Sequence, residues 1–427
     1  MSKLYRMFVL FVMAVTMVSC AAPVIIQPTP FPRIIPSITS PPTSTITPEA
    51  QIVRHPGSAD LSKYYLELTS IPKFDINITD AFQVDLRSRD LTKLDMTSSL
   101  TDLMFAAFDS KTQWPAADKI PVGFDWQKIM ELNKDPGLGV RVLHEQGITG
   151  EGVSIAIIDQ TLLVDHIEYK DRLRLYEETE DIISEAPQAH MHGAAVASIA
   201  VGKSIGVAPE ADLYFIATGF CGAKRLQDLD YTCWAKAVRR IVEVNKGLPA
   251  ERKIRVLSLS WGWDSKSINY EEIRNAVNEA KAAGIFVISS SLTRTDNLHF
   301  HGLGRDPLSE PNDFSSYEPG LWWQKIFYQN GILEQTLLVP MDSRTTASPT
   351  GTEDYVFYRE GGWSWSIPYL AGMYALAVQV KPEFTPEEFW DTALKTGKTI
   401  QIQHNGKEYE FGVILDPQAL IDAIKSK

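Results

Sequence analysis

Three residues stand where acyl-transfer chemistry would need them: Asp159, His192 and Ser364. Ser364 lies in Gly362-Trp363-Ser364-Trp365-Ser366-Ile367-Pro368-Tyr369-Leu370-Ala371-Gly372. Proline is tolerated in a first helical turn, where its missing N–H would have no partner. Pro368 and the small residues after it, Ala371, Gly372, Ala375 and Ala377, therefore predict a helix that starts at or just after Ser364. At such a start, unpaired backbone N–H groups and the positive dipole end favour a developing oxyanion. Taken alone, Ser364 reads equally well as a serine capping a buried helix. His192 changes that balance, because it opens a second small-residue helix, Met191 to Ala200, and Asp159 closes the apolar run Val153 to Ile158. A nucleophile, a base to take its proton and a carboxylate to orient the charged base are the three parts acyl transfer requires.

The elements that must position these residues alternate. Val153–Ile158, Ala211–Ala217, Ile254–Ser260 and Ile285–Ser289 are near-continuous apolar runs, as expected of strands buried on both faces of a parallel sheet. Thr232–Asn245 and Tyr270–Ala283 carry helical periodicity between them. Strand and helix alternation at this spacing predicts an α/β fold, a parallel β-sheet flanked by helices on both faces. In such sheets functional groups gather beyond the carboxyl ends of the strands. Asp159 is at such an end.

The order Asp, His, Ser along the chain separates this pattern from α/β-hydrolases, whose order is Ser, Asp, His. Here the sequence resembles the subtilase family of serine peptidases over roughly residues 135–425. Val153 to Asp159 looks like the family strand that ends in the catalytic Asp. His192-Gly193-Ala194-Ala195-Val196-Ala197 resembles its HGTHVAG motif, and Gly362 to Gly372 matches GTSMAAPHVAG at the first Gly, the Ser, the Pro and the final Ala-Gly. Ser258-Leu259-Ser260-Trp261-Gly262 is similar to the family's substrate-binding strand and loop. The resemblance implies a subtilisin-like fold and a serine endopeptidase acting through an acyl-enzyme. Asp159, His192 and Ser364 would form the triad, and Ser260, Trp261 and Gly262 would bind the polypeptide substrate. It allows calcium, although no carboxylate loop marks a site; no other cofactor and no metal is expected.

The sequence departs from the family after the strand Ile285–Ser291, where a Gly-Asn should supply an oxyanion donor. Leu292-Thr293 stands there instead. Thr293 occupies the register of the missing Asn, and Asn297 carries the right amide four residues on; these two are the oxyanion candidates. Gln160-Thr161 also replaces the usual Ser/Thr-Gly, and Trp363 and Trp365 flank the serine. The rival from another class is a pseudopeptidase that binds peptides at the cell surface, or a scaffold there, without turnover.

Composition and the N-terminus place the rest. A net charge of -12 without an offsetting Lys/Arg cluster argues against nucleic-acid binding. Lys3 and Arg6, the apolar run Met7–Val18 and small residues around Cys20 form an export signal over residues 1–20. Met17-Val18-Ser19-Cys20-Ala21 resembles the lipobox of bacterial lipoproteins, so Cys20 is expected to be lipidated and to hold the chain on the outer face of the cell membrane. An ordinary signal peptide cleaved nearby is the alternative. Residues 21–55 are rich in Pro, Thr and Ser and read as an extended linker. Residues 56–120 read as a small N-terminal extension, and 121–427 as the peptidase domain. With Cys20 used for the anchor, Cys221 and Cys233 remain as one possible disulfide pair for an exported protein.

One acyl chain anchors only marginally and two or more hold firmly. Cys20→Ser is therefore predicted to move the protein from the membrane fraction to the soluble one. Partitioning of the variant like the wild type would exclude the lipobox reading.

Overall fold

The computed structural model describes residues 50–61, 67–78, 81–183, 187–222, 229–331 and 335–426. The signal peptide, Cys20 and nearly all of the expected linker lie outside the described residues.

A six-stranded sheet carries the site. Its strands are β1 (Gln51–Ile52), β2 (Ser154–Asp159), β3 (Leu173–Glu178), β4 (Asp212–Ala217), β5 (Ile254–Leu259) and β6 (Phe286–Ser289). Their order is β1-β3-β4-β2-β5-β6, and every pairing is parallel. Alternate side chains of β2 explain the unbroken apolar run. Ile155 and Ile157 face a core shared with the helices Met191–Val201 and Trp363–Val380. Ala156 and Ile158 face a second core with Trp234, Val238 and Ile241 of the helix Thr232–Gly247 and Ile273 and Ala276 of Tyr270–Ala282. The expected α/β architecture, with helices on both faces, is the one observed.

Two strands of this sheet were not anticipated. β3 breaks its apolar run with Arg174, Glu177 and Glu178, which are tied off by ion pairs: Arg174 to Asp212 at 2.7 Å and Glu178 to Arg54 at 2.7 Å. β1 falls inside the stretch read as linker and pairs Gln51 with Leu175.

Strands from both sides of Ser364 in the sequence build a second sheet. It contains β7 (His299–Arg305), β8 (Tyr317–Pro319), β9 (Thr336–Pro340), β10 (Lys398–His404) and β11 (Lys407–Ile414), in the order β8-β7-β9-β11-β10. A third sheet joins Arg344–Ala347 and Tyr355–Tyr358 to Ala106–Asp109 and Val84–Asp85 from the N-terminal extension. Leu86, Leu91, Met96, Leu103 and Phe108 of that extension belong to the same buried cluster as the helices of His192 and Ser364. Among the described residues no helix is long and apolar enough to cross a membrane.

The helices that carry His192 and Ser364 pack closely because of one residue. A Cβ on Gly372 would lie 2.6 Å from the Cβ of Val207 and 3.4 Å from the carbonyl of Ala200. Gly372→Ala is predicted to destabilise the fold by about 1–3 kcal/mol, since an added methyl must push the serine helix away from Val207, just after the helix of His192. Urea denaturation measures this, and an unchanged midpoint would mean that the packing yields freely.

Candidate active site

Asp159 sits at the carboxyl end of β2, and its side chain is almost fully buried. Its Oδ1 accepts hydrogen bonds from the backbone N–H of Gln160 at 2.8 Å and from Nδ1 of His192 at 2.6 Å. The approach depends on Gly193. A Cβ there would lie 2.4 Å from the carbonyl oxygen of Gln160 and 2.7 Å from that of Thr161, so any larger residue would drive the helix start off the strand end. His190 caps the same helix, its Nδ1 accepting from the backbone N–H of His192 at 3.2 Å. Burial pushes the pKa of His190 down to about 3, which keeps the acceptor nitrogen unprotonated. His190 is thus a cap beside His192. With Nδ1 of His192 given to Asp159, Nε2 is buried and has no hydrogen-bond partner.

Ser364 is the second residue of the helix Trp363–Val380, where a backbone N–H has no intrahelical acceptor. The helix also brings Trp365 to the imidazole of His192, with ring centroids 5.2 Å apart. Ser364 and Ser260 exchange hydrogen bonds: Oγ of Ser260 donates to the carbonyl of Ser364 at 2.9 Å, and Oγ of Ser364 to that of Ser260 at 3.4 Å. The second sheet fixes the helix start from below, with Oγ of Ser366 donating to the carbonyl of Pro340 at 3.5 Å. Asp342, just beyond β9, accepts from the backbone N–H of Gly361 and, at 2.7 Å, from that of Leu321. Asp342 is not legible from local residue patterns, since its role depends on pairing across the second sheet.

Ser260, Trp261 and Gly262 extend from β5 and are held by residues of the segment that follows β4. Nε1 of Trp261 donates to the hydroxyl of Tyr231 at 2.8 Å, which donates to the carbonyl of Gly262 at 2.6 Å. The ring of Phe220 lies 4.8 Å from that of Trp261. Cys221 and Cys233 are joined in a disulfide, with Cα atoms 5.6 Å apart, and so bracket this loop. Tyr231 was not singled out from sequence. Of the four tryptophans around the motifs, Trp263 and Trp365 are core residues, whereas Trp261 and Trp363 are partly exposed.

The two oxyanion candidates separate. Thr293 lies in the short helix Leu292–Asp296 and lines a pocket of about 260 Å³ bounded by Trp363, the residue before Ser364. Its hydroxyl donates to the carbonyl of Leu298 at 3.3 Å. Asn297 is in the left-handed conformation at the end of that helix, with its amide oxygen 3.3 Å from Nε2 of His299. It does not line the pocket. No group of three or more His, Cys, Asp and Glu side chains among the described residues could hold a metal ion.

The model of the subtilase family matches residues 150–326, a range that holds Asp159, His192, Ser260–Gly262 and Thr293 and stops before Ser364. That stretch of the chain is similar to a subtilase domain. It is 25% identical over 281 residues to serine protease AprX of Bacillus subtilis (strain 168), a match spanning 58% of this chain and 61% of AprX. Among solved structures, the prenylagaramide maturation protease PagA matches 67% of this chain and 98% of its own, at 16% identity and a TM-score of 0.44. The PatG macrocyclase domain matches 68% and 95%, at 13% identity and a TM-score of 0.43.

Asp342 gives this site a pH dependence. Burial raises its carboxyl pKa to about 8, against the opposing pull of Arg359 and the two backbone N–H groups. A raised folded-state pKa contributes stability that is complete below the unfolded value near 3.9 and is lost as pH rises through about 8. Thermal stability is therefore predicted to fall from about pH 4 to about pH 8 and to level off above that. Asp342→Asn should flatten that fall, while costing about 1–3 kcal/mol at pH 6 because its NH₂ faces a backbone donor. A wild-type slope retained in the variant would assign the titration elsewhere.

Proposed function

We propose that this protein is an exported serine endopeptidase, held on the outer face of the membrane by a lipid on Cys20, that hydrolyses polypeptides through an acyl-enzyme. The observation that carries the reading is the buried 2.6 Å contact between Asp159 and Nδ1 of His192, which leaves Nε2 as the basic nitrogen. Ser364 turns its hydroxyl from Ser260 toward that nitrogen and attacks the scissile carbonyl while Nε2 takes its proton. Asp159 holds the imidazole in the tautomer that can accept and stabilises the imidazolium. The imidazolium returns the proton to the leaving amine as the C–N bond breaks. Water then attacks the ester by the same route and frees Ser364. The backbone N–H of Ser364 serves the oxyanion, and Thr293 is the side-chain donor after release from Leu298.

One observation favours the rival peptide-binding reading: in the structure the hydroxyl of Ser364 is bonded to the carbonyl of Ser260. A fluorophosphonate probe separates the two. Labelling of the wild type that vanishes in Ser364→Ala, with Asp159→Asn slowing turnover by about 10⁴, is expected of the enzyme. An unlabelled, folded wild type would leave only the binder.

A further inference from the structure

The pocket beside Trp363 has a chemistry of its own. One wall is Trp363, next to the nucleophile. The opposite wall is the segment Ser290–Arg294, which starts at the substrate strand: the backbone N–H of Ser290 donates to the carbonyl of Trp261 at 3.0 Å. The pocket thus lies beside Trp363, the sequence neighbour of Ser364, and beside Ser290, which is bonded to Trp261; His301 and Thr336 of β7 and β9 also line it.

Every polar group that lines it can donate a hydrogen bond, and no carboxylate lines it. Thr336 is 3% exposed, and its hydroxyl has no partner. Nδ1 of His301 is likewise buried without one. The imidazole is stacked on Trp323, with centroids 4.2 Å apart, and burial pushes its pKa down to about 4. It is therefore a neutral, fixed hydrogen-bonding group. Arg294 supplies the charge. One of its NH₂ groups donates to Oγ of Ser291 at 3.3 Å, and a guanidinium has donors to spare and accepts nothing. The nearest carboxylate on its helix, Asp296, is paired with Lys281 at 2.5 Å. A buried donor without an acceptor is costly, so an occupant that accepts from several of these groups gains most.

We propose that this pocket receives the substrate side chain immediately before the scissile bond and selects a carboxylate there, glutamate before aspartate. The assignment rests on the peptidase reading above, with Arg294 as the specificity-determining residue. An amide offers the same shape with one acceptor oxygen and no charge, so glutamine is the discriminating comparison.

The test uses peptides identical except for Glu, Gln, Leu or Lys at that position. At low salt, kcat/KM of the wild type should favour Glu over Gln by about tenfold or more, the size expected of charge-assisted hydrogen bonds. Arg294→Gln should erase that ratio, and Arg294→Glu should turn the preference to Lys. A wild-type preference for Leu, or a Glu/Gln ratio that survives Arg294→Gln, overturns the proposal. Binding of the same peptides, ended at the variable residue, to Ser364→Ala keeps the two readings apart. Tighter binding of the Glu peptide without wild-type turnover would support the pocket and reject the peptidase. Equal binding of all four peptides would reject the pocket whether or not the wild type cleaves them.

Discussion

The contact between Asp159 and His192 is the constraint around which this protein is built. Removing a carboxylate from water costs several kcal/mol unless hydrogen bonds replace the lost solvation. Asp159 is buried and obtains that replacement from Gln160 and His192. Both partners come from backbone that must pass within a few ångströms of the strand end. The lack of a side chain on Gly193 permits the passage, and the neutral imidazole of His190 holds the first turn without placing a second charge beside the first. A parallel sheet suits the purpose because it delivers a strand end, with no return hairpin, to the face where the two helices begin.

The second and third sheets do for Ser364 what the main sheet does for Asp159. β9 runs beneath the start of the serine helix, and Asp342 holds the backbone just before it. The third sheet reaches the other helix, where Oγ of Ser198 accepts from the backbone N–H of Ala347 at 3.0 Å. Since two strands of that sheet come from residues 84–109, the N-terminal extension braces the helix of His192 and shares its core. Ser364 and His192 are thus set by separate layers that meet near the Gly372 contact.

Which parts were legible in the sequence follows from how each is stabilised. β2, β4, β5 and β6 are buried on both faces, so each reads as an unbroken apolar run. β3 escaped notice because half its surface is solvated charge paired to distant residues. The second sheet was invisible for another reason. β7 reads His-Phe-His-Gly-Leu-Gly-Arg, its two histidines line a pocket, and its partners arrive from residues 317–319 and 336–340. Asp159, His192 and Ser364 stood out because their types and flanking small residues are dictated locally. Tyr231, Arg294, His301 and Asp342 did not, because each acts across a contact that only folding creates.

For the exported protein proposed above, the disulfide between Cys221 and Cys233 has a consequence for survival. It closes the loop that carries Tyr231, which grips Trp261 and Gly262. Where other peptidases are present, a loop on the rim of a cleft is an obvious place to be cut. A break in the chain between the two cysteines would leave both new ends covalently joined. The nicked protein would keep its aromatic grip on the substrate strand, and it would still run as one piece until reduced.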